Sequence, residues 1–142
     1  MFVLDTNVIS ELMNPDGSRA VLGWADSVDR LSLFTTAINQ AEILFGLAIM
    51  PKGRRRTDRL EWASSIFSED FRGRVLPFDE QAAEYFAEIA ASRRQSGRRI
   101  EPVDAQIAAI ARAHNMWIVT RNVGDFANCG IEVLDPWTRG GA

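Results

Sequence analysis

Met1-Phe2-Val3-Leu4-Asp5-Thr6-Asn7-Val8-Ile9-Ser10-Glu11-Leu12 is the stretch on which the reading of the fold turns. Apolar residues run straight into an acid, so residues 1–4 read as a buried strand. Asp5-Thr6-Asn7 follows as a turn. Val8 to Leu12 reads as a short helix, ended by Asn14-Pro15-Asp16-Gly17. An acid at the end of such a strand stands where sites form in open parallel sheets, at the strands' carboxyl ends.

The same pattern repeats outward from this point. Residues 18–28 carry Val21, Leu22, Trp24 and Val28 at helical spacing, and Leu31 to Thr35 reads as a second strand. Thr36 is an N-cap for a helix over 37–49. Position 39 is Asn, where a capping box has Glu or Gln. Pro51 and Gly53 break the chain before a helix over 54–69. A short strand at 75–78 and a helix over 80–95, ending at Gly97, come next. Pro102 suits the first turn of a helix running to about His114. Residues 116–120 and 131–134 read as strands, with a turn or short helix from Asn122 to Phe126 between them. Strands alternating with helices imply an α/β fold, a mostly parallel sheet with helices on both faces. We expect a single domain over residues 1–137 and a loose C-terminal tail at 138–142, with no internal repeat or linker.

Composition narrows the function. The 142 residues are 46% hydrophobic and 25% charged, as in an ordinary globular domain. A net charge of −3 argues against a surface that grips nucleic acid all round. Lys52 is the only lysine, beside fifteen arginines. Lys52-Gly53 has the wrong order for a P-loop, and a Schiff-base enzyme would have to use a lysine set among loop signals. No apolar run approaches the ~20 residues needed to span a bilayer, and the N-terminus is not a signal peptide. Cys129 is the lone cysteine, so no intrachain disulfide forms. The expected location is the cytoplasm, with no membrane role.

The candidate site is a set of four carboxylates. Asp5 ends the first strand, and Asp125 lies in the turn after the strand at 116–120. Asp104 falls in the first turn of its helix, and Glu42 about a turn and a half into the helix after the second strand. All four project toward one sheet edge. Clustered carboxylates raise each other's pKa, and such a cluster persists when a cation sits in it. Oxygen ligands favour Mg²⁺, or Mn²⁺, over zinc. A hard cation with open positions suits phosphodiester cleavage by an activated water. Each acid also has a structural explanation: Asp5 as a helix cap, Asp104 as a partner of the helix dipole, Asp125 as a turn acid beside Gly124. Glu42 is the most informative, because it stands in the apolar stretch 41–49, where a buried, unpaired carboxylate is costly. Its alternative is to face solvent. His114 near a helix end, Ser10 without a base and Cys129 as a small buried residue offer no competing nucleophile.

These residues resemble a known family. Leu4-Asp5-Thr6-Asn7-Val8-Ile9-Ser10-Glu11 is similar to the opening of PIN-domain proteins of the VapC type. Ala41-Glu42, Asp104-Ala105-Gln106-Ile107-Ala108-Ala109 and Thr120-Arg121-Asn122-Val123-Gly124-Asp125-Phe126 resemble the later motifs, in order. Leu76-Pro77-Phe78-Asp79 and Asp135-Pro136-Trp137 look like the FitB-like branch. The resemblance covers about residues 1–137. It implies a three-layer α/β/α fold, Mg²⁺-dependent endoribonuclease activity and the role of toxin in a type II toxin–antitoxin pair. It gives metal-site roles to Asp5, Glu42, Asp104 and Asp125, and supporting or substrate roles to Thr6, Asn7, Thr120 and Asn122. FitB-like members carry Asp where this chain has Asn122 and lack the acid at 125, so Asp125 is taken here as the fourth carboxylate. A homodimer is implied, as is a small ribbon-helix-helix antitoxin through which alone the chain would reach operator DNA.

RNA binding requires cations, for which Arg54-Arg55-Arg56, Arg93-Arg94 and Arg98-Arg99 are the candidates. The rival readings are an inactive corepressor of the same fold, a haloacid-dehalogenase-type phosphatase and a phosphoacceptor receiver domain. The last two need a late lysine that the chain lacks.

Overall fold

In the computed structural model, which describes residues 1–139, five strands form one parallel sheet: β1 (Phe2–Leu4), β2 (Leu33–Thr36), β3 (Val75–Leu76), β4 (Trp117–Val119) and β5 (Val133–Leu134). Their order is β3-β2-β1-β4-β5. Phe2 lies beside both Leu33 and Trp117, and Leu4 beside Val119. The chain leaves β1 toward β2 on one side and returns to pair with β4 on the other. The carboxyl ends of β1 and β4 therefore flank the switch point, where a crevice opens in sheets of this kind.

Among the described residues, seven α-helices cover the sheet: α1 (Thr6–Met13), α2 (Arg19–Ser27), α3 (Ala37–Ala48), α4 (Arg54–Ser65), α5 (Glu80–Gln95), α6 (Pro102–Ala113) and the single turn α7 (Pro136–Arg139). Val8, Ile9, Val21, Trp24, Ile43, Leu47 and Phe67 pack on one face, against Leu4 and Val119. Ala82, Ile89, Ile107 and Ile110 pack on the other, against Val3 and Ile118. Adjacent strand residues feed opposite cores because side chains alternate across a sheet. The layering is thus α/β/α. Residues Ile107 to Ala111 are all fully buried, so α6 is apolar nearly all round, as befits a helix wedged between α5 and the sheet.

Three local departures from the sequence reading have physical causes. Thr6 and Asn7 belong to α1 rather than to a turn, because the Asp5 carboxylate caps the Thr6 N–H at 2.8 Å. Residues 30–32 form a 3₁₀ turn ahead of β2, since the Asp29 carboxylate takes the Leu31 N–H. The helix expected over 54–69 widens into a π-turn at Ile66–Asp70, where the Arg74 guanidinium donates to the Asp70 and Leu33 carbonyls. Of the tail at 138–142, Thr138 and Arg139 complete α7; residues 140–142 lie outside the described residues. No helix among the described residues is long and apolar enough to cross a membrane.

Candidate active site

Asp5 sits just past β1, buried, with its N–H held by the Val119 carbonyl at 2.9 Å. Its Oδ1 accepts from the Thr6 N–H and from Asn39 Nδ2, at 2.8 and 3.1 Å, and its Oδ2 accepts from Thr120 Oγ1 at 2.8 Å. The helix-cap explanation and the site explanation are therefore compatible: one oxygen caps α1 while the other faces β4. Burial pushes the Asp5 carboxyl up, the hydrogen bonds from Thr120, Thr6 and Asn39 oppose that, and the Asp125 charge adds to it.

Thr120, fully buried after β4, organises its side of the site. Its hydroxyl donates to Asp5 and accepts from Asn7 Nδ2 at 3.3 Å and from the Asn122 N–H at 3.1 Å. Asn7 in turn accepts from the Arg121 N–H at 3.2 Å. Asn122 serves through its backbone, and its side chain is exposed.

On the β2 side, the Thr6 hydroxyl donates to Glu42 Oε1 at 2.9 Å and accepts from Asn39 Nδ2 at 3.1 Å. Glu42 is exposed, as are Leu44 and Phe45 on the same helix. Burial in an apolar stretch is thus not what makes Glu42 informative. It is informative because Thr6, from a different element, points its carboxylate into the site. Desolvation of the head group raises the Glu42 carboxyl, the Thr6 bond lowers it and the Asp5 charge raises it further.

Asp104, in the first turn of α6, is pushed up to about 6, first by desolvation and then by the charges of Asp5, Asp125, Glu42 and Glu101. Asp125 is exposed in the 3₁₀ turn Val123–Phe126. The four acids thus share one electrostatic neighbourhood. The ion pairs found among the described residues are Arg30–Asp70 and Arg112–Glu88, neither of which touches them. Among those residues, no three acids, histidines or cysteines close into a ready metal cage. The site is an open acidic crevice.

The PIN domain family signature matches residues 2–130, a span that holds every residue of this crevice. The chain belongs to the PIN-domain family. It is 42% identical to VapC ribonuclease Y4jK of Sinorhizobium fredii, over 96% of this chain and 98% of that protein. It is 35% identical to toxin FitB of Neisseria gonorrhoeae, over 96% and 99% of the two chains. The structure of FitAB bound to an IR36 DNA fragment superposes with a TM-score of 0.90, at 36% identity and 96% coverage of both chains.

Two residues of this PIN domain escape the sequence reading. Asn39 is fully buried; its side-chain oxygen accepts from Thr36 Oγ1 at 2.6 Å, while its amide donates to Asp5 and Thr6. The departure from a capping box at position 39 was the available signal. Arg93 is buried, on the same face of α5 as Ala82 and Ile89, so Arg93-Arg94 is not a solvated pair open to RNA. Arg54, Arg55, Arg94, Arg98 and Arg99 are exposed. Beside Glu42 a groove runs past Ser10, Asn14, Arg59 and Trp62.

Proposed function

We propose that this PIN domain is a Mg²⁺-dependent endoribonuclease that acts as the toxin of a type II toxin–antitoxin pair. The observation that carries the reading is the mutual field of Asp5, Glu42, Asp104 and Asp125, with Asp104 raised to about 6 and no cation paired to the four among the described residues. Such a crevice costs stability until a cation enters. The donor set is all oxygen and open, which fits Mg²⁺ because that ion keeps several waters and needs only one or two carboxylates; Mn²⁺ suits the same donors. Asp5, Glu42, Asp104 and Asp125 would hold it. Bound there, the ion would lower the pKa of a water and stabilise charge on the leaving oxygen of the phosphodiester.

The chain's own residues supply the geometry. Thr120 and Asn39 fix both oxygens of Asp5, so its carboxylate presents a set orientation. Thr6 does the same for Glu42. Asn7 locks Thr120 to the chain after β4. Exposed arginines outside the crevice would draw the RNA backbone in.

On the partner side the proposal is a homodimer in the cytoplasm, held by a small ribbon-helix-helix antitoxin; the similarity to toxin FitB and to the FitAB complex supports the toxin role and a bound partner. Leu44 and Phe45 on α3, Ile49 just after it and Trp62 on α4 stay exposed, and exposed apolar side chains of this kind offer anchors to a protein partner. An antitoxin arginine would pair with the acidic crevice. A second reading, corepression of operator DNA through the antitoxin with weak or no cleavage, is favoured by the DNA-bound FitAB complex.

Purified protein incubated with RNA separates the two. Cleavage with Mg²⁺ that stops with EDTA and is lost in Asp5→Asn is the expected result. No cleavage of any RNA, with operator binding in the presence of the antitoxin, would replace the toxin reading by the corepressor one.

A further inference from the structure

Among the described residues, Arg93 is the one buried arginine. It makes no ion pair among them. A guanidinium taken out of water is costly unless partners take the N–H groups that are buried. Those partners are backbone carbonyls. Nε donates to Arg98 O at 2.6 Å, and Nη1 donates to Asp125 O at 3.1 Å and Ala127 O at 2.9 Å, with Cys129 Sγ at 3.8 Å.

Both ends of this clamp have structural logic. At one end, α5 finishes in a Schellman motif. The Arg98 N–H returns to Arg93 O at 2.9 Å, the Gly97 N–H returns to Arg94 O at 3.1 Å, and Gly97 takes φ +78°. That reversal turns the Arg98 carbonyl back onto the Arg93 side chain. At the other end, one nitrogen takes the carbonyls on either side of Phe126, a fully buried residue. Phe126 anchors the turn by packing; Arg93 sets its rotation. What that rotation aims is the exposed Asp125 carboxylate.

We propose that Arg93 is a positioning residue, fixing the Val123–Phe126 turn so that Asp125 stands within reach of Asp5 and Asp104. The proposal rests on the active-site reading above for the purpose of the turn, while the hold of Arg93 on the turn is independent of it. Lysine cannot replace it fully, because a single ammonium lacks the planar fork that spans three carbonyls.

The experiment compares Arg93→Met, Arg93→Lys, Asp125→Asn and the Arg93→Met/Asp125→Asn double variant, with Asp5→Asn as a control. Mn²⁺ affinity is measured by calorimetry on the full chain, and amide exchange is followed at residues 124–127 and in β1 and β4. Asp125→Asn and Arg93→Met should each weaken Mn²⁺ about tenfold, in the range that supporting residues of metal sites show. The double variant should be no weaker than either single one, because Arg93 acts through Asp125. Exchange at 124–127 should rise about tenfold or more with β1 and β4 still protected, the mark of a local opening. Arg93→Lys should lie between Arg93→Met and the unmodified protein, and it carries the test if Arg93→Met does not fold. Additive losses in the double variant, or a drop in unfolding stability with Mn²⁺ affinity and turn exchange unchanged, would overturn the proposal. If Asp5→Asn binds Mn²⁺ undiminished, the active-site reading falls instead, and the exchange data alone then decide whether Arg93 holds the turn.

Discussion

The side-chain amide of Asn39 donates to Asp5 Oδ1 and to Thr6 Oγ1, 3.1 Å from each, and so ties β1, α1 and α3 together beneath the acidic crevice. Asn39 has no exposed surface, and its oxygen is taken by Thr36. Replacing it with Leu removes one hydrogen bond from each of Asp5, Thr6 and Thr36. We expect Asn39→Leu to lose about 2–4 kcal/mol of stability, the scale of three lost hydrogen bonds, and to cut RNA cleavage sharply. Asn39→Asp should be worse at neutral pH, since it sets a carboxylate against Asp5, and should recover part of its stability on acidification. Urea denaturation at two pH values checks both. An Asn39→Leu protein as stable and active as the parent would refute the role.

Thr120→Val keeps the shape of the side chain and removes a hydroxyl that serves Asp5, Asn7 and the Asn122 N–H at once. The expected cost is about 1–3 kcal/mol, for buried partners left unsatisfied. Cleavage should fall while Thr120→Ser retains most of it, because the serine hydroxyl reaches the same partners. Equal rates for Thr120→Val and Thr120→Ser would show that the hydroxyl does not orient Asp5.

How far the sequence could be read depended on whether a residue's role was local. Apolar runs alternating with amphipathic segments are local, which is why β1 through β5 and α2 through α6 were legible to within a few residues. The start of α1 was not, because Asp5 both caps the helix and faces the crevice. Asp5 and Asp104 were placed correctly at strand and helix ends by the geometry of parallel sheets. The apolar stretch around Glu42 predicts a burial that the residue does not have. Its place depends on a hydrogen bond to Thr6, 36 residues earlier, which periodicity does not encode. Arg93 looked like half of a surface pair, although its helical spacing from Ala82 and Ile89 puts it on the buried face. Its partners, 32 and 34 residues further on, become visible only once α5 packs beside the turn after β4.

The Asp104 carboxyl gives a pH dependence with a definite sign. Its folded value, about 6, lies above its ordinary 3.8. A carboxyl raised on folding favours the folded state when protonated, so its contribution is fully present below about pH 4 and is lost as pH rises through about 6. Metal-free protein should therefore gain from Asp104→Asn above pH 6, by about 1 kcal/mol after allowance for the group's partial exposure, with little gain at pH 4. Added Mg²⁺ should raise the melting temperature of the parent at pH 7.5 and leave Asp104→Asn nearly unmoved. Thermal melts in EDTA and in Mg²⁺ test this. A variant less stable than the parent at pH 7.5 in EDTA would mean that the crevice is not a region of repulsion.

The exposed apolar residues of α3 and α4 lead to a prediction about the partner. Phe45 is 66% exposed, and Trp62, which lines the groove beside Glu42, is 47% exposed. Exposed apolar patches mark protein interaction sites, and buried aromatic anchors dominate binding energy at interfaces. Phe45→Glu and Trp62→Glu place a charge on that surface without touching Asp5, Glu42, Asp104 or Asp125. Each should weaken capture by a cognate antitoxin by roughly 100-fold or more, the scale of an interface hot spot. RNA cleavage by the free protein should stay within about twofold of the parent, since surface changes away from a site rarely disturb it. In cells, the two variants should therefore be toxic even when the antitoxin is co-expressed. Copurification and growth assays report on the same claim from two sides: antitoxin held normally by Phe45→Glu and Trp62→Glu would place the partner's footprint elsewhere on the molecule.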